Sequence, residues 1–411
     1  MKKLKSENQI LLMLALISLS IGLWENFRQL WLEDNGFSAM QISKISSMGT
    51  LVSVLAILFV SKRITLDKLK GFMSFTIVIK FLNLVLLYYL NHTLQTFSIN
   101  LLIIIDLTTS YLITTSIYPL ITIFVKNNTI YSKRKLTEYL FRDVGILVGG
   151  FLIGKSVMGV FVSYNVCLYI SIVFLVGAMM VMFNMKSCKK VKSNPDPKAS
   201  IVKYVMKHKI LKTYCLYILI GSVAMATGLG LKMLVLTNYF SFSEAVATNY
   251  LVIVGLICDL IGILALKYLT PKNDYITITI KFFIRFSLYT LAFFTDNLFV
   301  TIIAITWSIL IGAAYENVCD GYYINAVENE HQLTFTNFRY IIRYIGEAIG
   351  LFFCGLMYEK GLKYMFGLSA FFMIFQIGLA YRLIYMRKHE PSGVVKKIVK
   401  CMDRRKDEIS V

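Results

Sequence analysis

Arg142-Asp143-Val144-Gly145-Ile146-Leu147-Val148-Gly149 is the stretch on which the fold turns. Its arginine and both its glycines return as Arg343-Tyr344-Ile345-Gly346-Glu347-Ala348-Ile349-Gly350. The offset is 201 residues, from 142 to 343. Glycines four apart share one face of a helix, so each copy marks a smooth strip on an otherwise apolar segment. Two further matches keep the same order. Gly36-Phe37-Ser38 returns as Ser241-Phe242-Ser243, and Lys62, Ile64 and Thr65 return as Lys267, Leu269 and Thr270, both at an offset of 205. Three short matches in one order at nearly one offset predict two copies of one unit; the alternative is a chance alignment of glycine-rich helices.

Between these markers the chain consists of apolar runs. Of its 411 residues 57% are hydrophobic and 14% aromatic, with mean hydropathy +0.66; a soluble domain is about 45–50% apolar. Runs of about 20 apolar residues match the bilayer core, and lipid offers backbone groups no partner, so the runs must be helices. A transmembrane barrel would instead show short alternating segments. The predicted fold is an all-α integral membrane protein of twelve transmembrane helices in two pseudo-symmetric six-helix bundles. The spans read 10–31, 43–61, 72–90, 98–125, 137–158, 161–184, 210–237, 245–267, 275–294, 298–323, 334–358 and 362–386. Residues 1–185 form the first bundle, 186–209 a basic linker around Ser193-Asn194-Pro195-Asp196-Pro197, 210–387 the second bundle and 388–411 a basic tail.

The net charge of +20 is distributed between apolar runs rather than along one basic face, which argues against nucleic acid as a partner. Lys and Arg accumulate on the cytoplasmic side of short loops. Lys2, Lys3 and Lys5, Lys62 to Lys70, Lys126 to Lys135, the linker and the tail are all rich in them, whereas the alternate loops carry few. Both termini are therefore expected in the cytoplasm and the protein in the plasma membrane. The basic tail either rests on anionic lipid or is solvated. The first run carries Glu25 and Arg28 and no small-residue cleavage site, so it reads as a span rather than a cleaved signal. The seven cysteines show no metal or redox spacing. No cofactor or metal site is expected.

With these features the chain resembles the major facilitator superfamily over nearly its whole length. The resemblance rests on six plus six spans, the long basic central loop, the Gly36-Phe37-Ser38 turn, and basic loops after spans two and eight. The family's loop after span two combines glycines, Asp-Arg/Lys and further basic residues. Asp67-Lys68-Leu69-Lys70-Gly71 keeps the Asp-Lys pair and the basic tail with the glycines displaced. Proton-coupled exporters of the family often carry Gly-Pro in a glycine-rich fifth span; here Gly145, Gly149, Gly150 and Gly154 are present without the proline. The resemblance implies alternating access by a monomer, with spans one and seven facing each other across a cavity.

Ionisable side chains inside spans are costly and by default suggest function. Glu25 and Arg28 lie three apart, flanked by Trp24 and Trp31. They read either as an ion pair at the outer interface with an aromatic belt or as a cavity-lining pair. Lys232, in the outer third of span seven, is a gate partner for Glu25 under the family resemblance. Asp106, followed by Thr108, Thr109, Ser110 and Tyr111, is the first choice for a protonatable site, and Asp259 the second. Glu316 and Asp320 on span ten face Arg339, Arg343 and Glu347 on span eleven at similar depth, and Arg142 and Asp143 repeat this on a smaller scale. With Asp67 these read as an ion network closing an inner gate. The alternative is that Arg142 or Arg343 grips an anionic group. Lys281 and Arg285 have no evident acid partner and keep the anion reading open.

No Walker loop and no His-Glu-x-x-His signature is present, and His92, His208, His331 and His389 all fall in loops or tails. The sequence therefore predicts a non-enzymatic secondary transporter of a small organic solute, with protons as the coupling ion, membrane lipid as the other partner and the direction open. A lipid or lipid-linked glycan translocator on the same fold is the alternative. A membrane enzyme or transport-dead sensor is a third class.

Overall fold

The computed structural model describes residues 6–25, 27–63, 68–90, 96–124, 130–154, 160–185, 201–268, 282–309, 323, 327 and 329–389. Among them every predicted span is helical apart from two breaks, and there are no strands. In the first half the helices are α1 (Ser6–Glu25), α2 (Arg28–Asp34), α3 (Ala39–Arg63), α4 (Leu69–Leu90), α5 (Thr96–Phe124), α6 (Ile130–Gly154) and α7 (Val160–Asn184). Then follow α8 (Ile201–Lys207), α9 (Lys209–Leu229), α10 (Lys232–Asn238) and α11 (Glu244–Tyr268). The remainder are α12 (Ile284–Thr295), α13 (Leu298–Ile309), α14 (Asn329–Lys360) and α15 (Leu362–His389). Among the described residues eight stretches are long and apolar enough to cross a membrane: Asn8–Asp34, Ala39–Val60, Leu69–Tyr89, Phe97–Ile117, Tyr164–Asn184, Lys209–Asn238, Thr334–Lys360 and Leu362–His389. Glu244–Ile257 and Leu298–Ile309 are shorter apolar helices.

The two breaks correspond. α1 ends at Glu25 and α2 begins at Arg28; α9 ends at Leu229 and α10 begins at Lys232. Each of these broken helices then enters the same turn. Gly36 takes φ +83° and Ser241 takes φ +53°, a left-handed conformation that glycine adopts freely and serine only at a cost. The amide of Phe37 donates to the Leu32 carbonyl and that of Phe242 to the Leu236 carbonyl, both at 3.1 Å. The next helix is capped alike in both copies. Ser38 Oγ accepts the Gln41 amide at 3.3 Å and Ser243 Oγ accepts the Val246 amide at 3.4 Å. In the first copy the Gln41 side chain also accepts the Ser38 amide at 2.8 Å, completing a capping box.

The glycines of the repeated motif bring helices into contact. A Cβ at Gly145 would stand 2.6 Å from the Leu19 carbonyl oxygen on α1; one at Gly346 would stand 2.5 Å from the Leu219 carbonyl oxygen on α9. Small residues of this kind let backbones approach and dispersion attraction accumulate where lipid supplies no hydrophobic drive. As a result α1 packs on α6 and α7, while α9 packs on α14 and α15. The same close approach of a motif glycine to a helix carbonyl thus recurs in both copies of the motif.

The chain folds into two compact units, Met1–Ser193 with Met233–Ile253 and Asn194–Lys232 with Val254–Val411. Residues Met233–Ile253, with most of α10 and the start of α11, group with the first unit. The linker is also less uniform than its polarity suggests. Residues 201–207 form α8, whose Val205 is buried with Ile201 and Tyr204 against the core around Ile210 and Tyr214. Large apolar side chains such as Leu55, Phe75 and Phe97 in the first unit and Phe294, Phe299 and Phe371 in the second lie on the outside. A soluble surface rarely carries so much contiguous apolar area, whereas hydrocarbon accepts it.

Candidate functional site: a buried carboxylate between two cations

The sequence places Asp106 in the middle of α5, where its carboxylate cannot reach water and must find partners or be lost to the fold. It is wholly buried. Its Oδ1 accepts from Lys80 Nζ of α4 at 2.6 Å, and its Oδ2 accepts from Arg28 of α2 and from Trp24 Nε1 of α1, each at 3.1 Å. Lys80 also donates to Ser110 Oγ at 2.7 Å, one helical turn from Asp106. Four helices of the first unit thus converge on one carboxylate. Formally the cluster holds two cations and one anion.

Two expectations about the first helix are corrected here. Glu25 and Arg28 were expected to share a face and pair; the break between α1 and α2 separates them. Arg28 turns inward to Asp106, while Glu25 takes Arg142 of α6 at 2.7 Å. Trp24 and Trp31 were one reading's interfacial belt, yet they are 1% and 0% exposed and meet edge to face at 5.7 Å. The indole of Trp24 is drawn in because its N–H serves the buried carboxylate. The Glu25–Arg142 pair is part-exposed, so it contributes little to stability. It does engage the arginine that the sequence offered as an anion grip.

Lys80 was missed by sequence reasoning. The signal was there: one lysine amid Phe72 to Leu90, at a depth where charge is expensive. Asn83, one turn on, donates to the Leu102 carbonyl at 3.0 Å and helps seat α4 on α5.

The other candidates are scattered. Lys232 starts α10 at the edge of the second unit and is half-buried. Asp259 lies on α11, with its side chain outside the described residues, as are Asp67, Glu316, Asp320 and Lys281. Of the expected inner network, the acidic stripe Glu316 and Asp320 therefore falls outside what the structure describes. Its basic half divides. Arg339 is buried beside Tyr214 and against the Tyr340 ring, 4.8 Å from its centroid, whereas Arg343 is exposed. Glu347 and Asp143 are half-buried. Tyr323 stacks on Tyr214 at 3.9 Å within an aromatic core that includes Phe335, so this tyrosine packs helices. Arg285 on α12 is 4% exposed and lies 5.1 Å from the ring centre of Tyr289.

No family model and no curated protein matches the chain. Solved structures do. The nucleoside transporter NupG superposes with TM-score 0.65 at 14% identity, over 94% of this chain and 100% of that one. A D-xylose-proton symporter gives 0.64 at 12%, over 94% and 98%. The human organic anion transporter MFSD10 gives 0.64 at 12%, over 92% and 99%. At such identities the likeness is one of fold, and it covers 92–94% of this chain.

Proposed function

We propose that this chain, a multi-pass membrane protein with the major facilitator fold, is a secondary active transporter moving a small organic solute across the plasma membrane by alternating access, with protons as the coupling ion. The observation that carries the proposal is the Arg28–Asp106–Lys80 cluster, buried where three helices of a transporter-shaped bundle meet. A bundle needing only stability would do as well with apolar residues there, because burying three charges gains little over packing. What an ion cluster adds is a state that can be switched. A proton on Asp106 cancels the attraction to Arg28 and Lys80, freeing α2 and α4 from α5; deprotonation restores both ties. Coupling then consists of a conformational preference that depends on one proton. Both termini lie in the cytoplasm in this reading, and twelve spans complete the two bundles.

The test is accumulation. Purified protein in liposomes, given an imposed pH gradient and a panel of labelled nucleosides, sugars and organic anions, should concentrate at least one solute until a protonophore collapses the gradient. Entry that ignores the gradient would remove the coupling from the proposal. No entry of any solute would remove the transporter.

A further inference from the structure

We propose that the second unit contains a binding site for an anionic group, carboxylate or phosphate, built on Arg285. This rests on the transporter reading and names the class of its solute.

Buried charge is unevenly distributed between the units. Asp106 is the one buried carboxylate among the described residues and belongs to the first unit. The buried charged side chains described in the second unit are Arg285 and Arg339. Arg339 has tyrosine company. Arg285 has a ring but no acceptor: its Nε and Nη2 are closed to solvent and make no hydrogen bond. The Tyr289 face attracts a cation, yet it leaves those N–H donors unmet, and unmet buried donors on a charged group are among the costliest features a fold can hold.

The surroundings repeat the pattern. Tyr289, one turn along α12, is fully buried with its hydroxyl unpartnered, and the neighbouring Thr290 hydroxyl is also unpartnered. Gln376, 3% exposed on α15, which packs against α12, leaves its side-chain oxygen unpartnered. Which way an amide faces is an assignment, so Gln376 can present its NH2 group instead. A guanidinium, a phenol, an alcohol and an amide on two packed helices can all donate. A negatively charged group with acceptor oxygens satisfies the unmet Arg285 donors, since an arginine fork fits carboxylate and phosphate alike. Tyr289 meets Phe366 edge to face at 5.0 Å, which gives the site an aromatic wall.

The experiment uses the full chain in phosphatidylcholine nanodiscs and follows thermal unfolding. The probes are benzoate and phenyl phosphate at about 10 mM, against their neutral counterparts benzamide and phenol, because a ligand of the native state raises its stability with the logarithm of its concentration over Kd. At least one anion should raise the melting temperature and neither neutral probe should. In Arg285→Met the anion's affinity should fall by about tenfold or more, while the melting temperature without ligand stays level or rises, since an unpaired buried charge has been removed. Arg285→Lys should retain part of the anion response. No response to either anion, an equal response in Arg285→Met, or a marked loss of ligand-free stability in that variant would overturn the site. Nanodiscs containing phosphatidylglycerol form a further arm; stabilisation by that lipid alone, with none from the free anions, would assign Arg285 to lipid and likewise overturn the proposal. If anions bind but no solute accumulates in liposomes, the site stands and the transporter reading falls. If solute accumulates unchanged in Arg285→Met, the reverse holds.

Discussion

Lys80 Nζ lies 2.6 Å from Asp106 Oδ1 and shares that carboxylate with Arg28 at 3.1 Å. Neither cation can lose its partner without becoming an isolated charge away from water. The cluster is thus a set of ties between α2, α4 and α5, and its uneven charge makes it respond unequally to loss of its members.

That inequality can be measured. Asp106→Asn leaves two buried cations without a counter-ion and should lower stability by about 3–5 kcal/mol. Lys80→Met leaves Arg28 and Asp106 as a balanced pair and should cost clearly less. Chemical unfolding in detergent compares the two. Equal losses would mean that the excess positive charge is not felt.

The repeated glycines set a second expectation. Gly145→Val drives a side chain into the α1 backbone at Leu19, and Gly346→Val does the same to α9 at Leu219. Overpacking of this kind costs about 1–3 kcal/mol, and the two substitutions should be alike in size. Because they lie in different units, their effects should add within about 0.5 kcal/mol in the double variant. The same unfolding measurement checks both statements. A large difference between the single variants would contradict the shared geometry.

The paired turns offer a stabilising change. Ser241 holds φ +53° where its counterpart is a glycine at φ +83°. Ser241→Gly should therefore gain about 1 kcal/mol, and Gly36→Ala should lose a similar amount. Melting temperatures of the two variants decide the point; stabilisation by both or by neither would contradict it.

Much of this architecture was legible in the residues. Helical spans follow from apolar runs of about 20 residues, because lipid admits only helices and closed barrels, and a barrel would need short alternating segments. The repeat was readable because glycine at a helix crossing and serine at a cap are enforced by contacts at fixed positions. The ion pairs were not readable in the same way. Glu25 and Arg28 look like partners on one unbroken helix, and only the division between α1 and α2 sends them apart. Asp106 could be singled out as a charge at depth, but its partners come from α1, α2 and α4, at separations of 82, 78 and 26 residues. Periodicity carries no information about which helices become neighbours. Lys80 carried the same signal as Asp106, a single charge at depth in an apolar run.

Topology is a separate expectation, resting on loop charge. Fusions of a fluorescent protein to either end should fluoresce, as folded cytoplasmic reporters do, and fusions of an enzyme active only outside the cytoplasm should be silent. An active external reporter at either terminus would contradict the loop-charge reading.

The central claim is that a solute crosses with protons. Liposomes holding the full chain and a trapped pH dye, with no gradient at the start, provide the most direct measurement. Addition of a transported solute should change the interior pH, and protein-free liposomes should show no such change. Solute entry measured in the same vesicles without any accompanying pH change would contradict the claim.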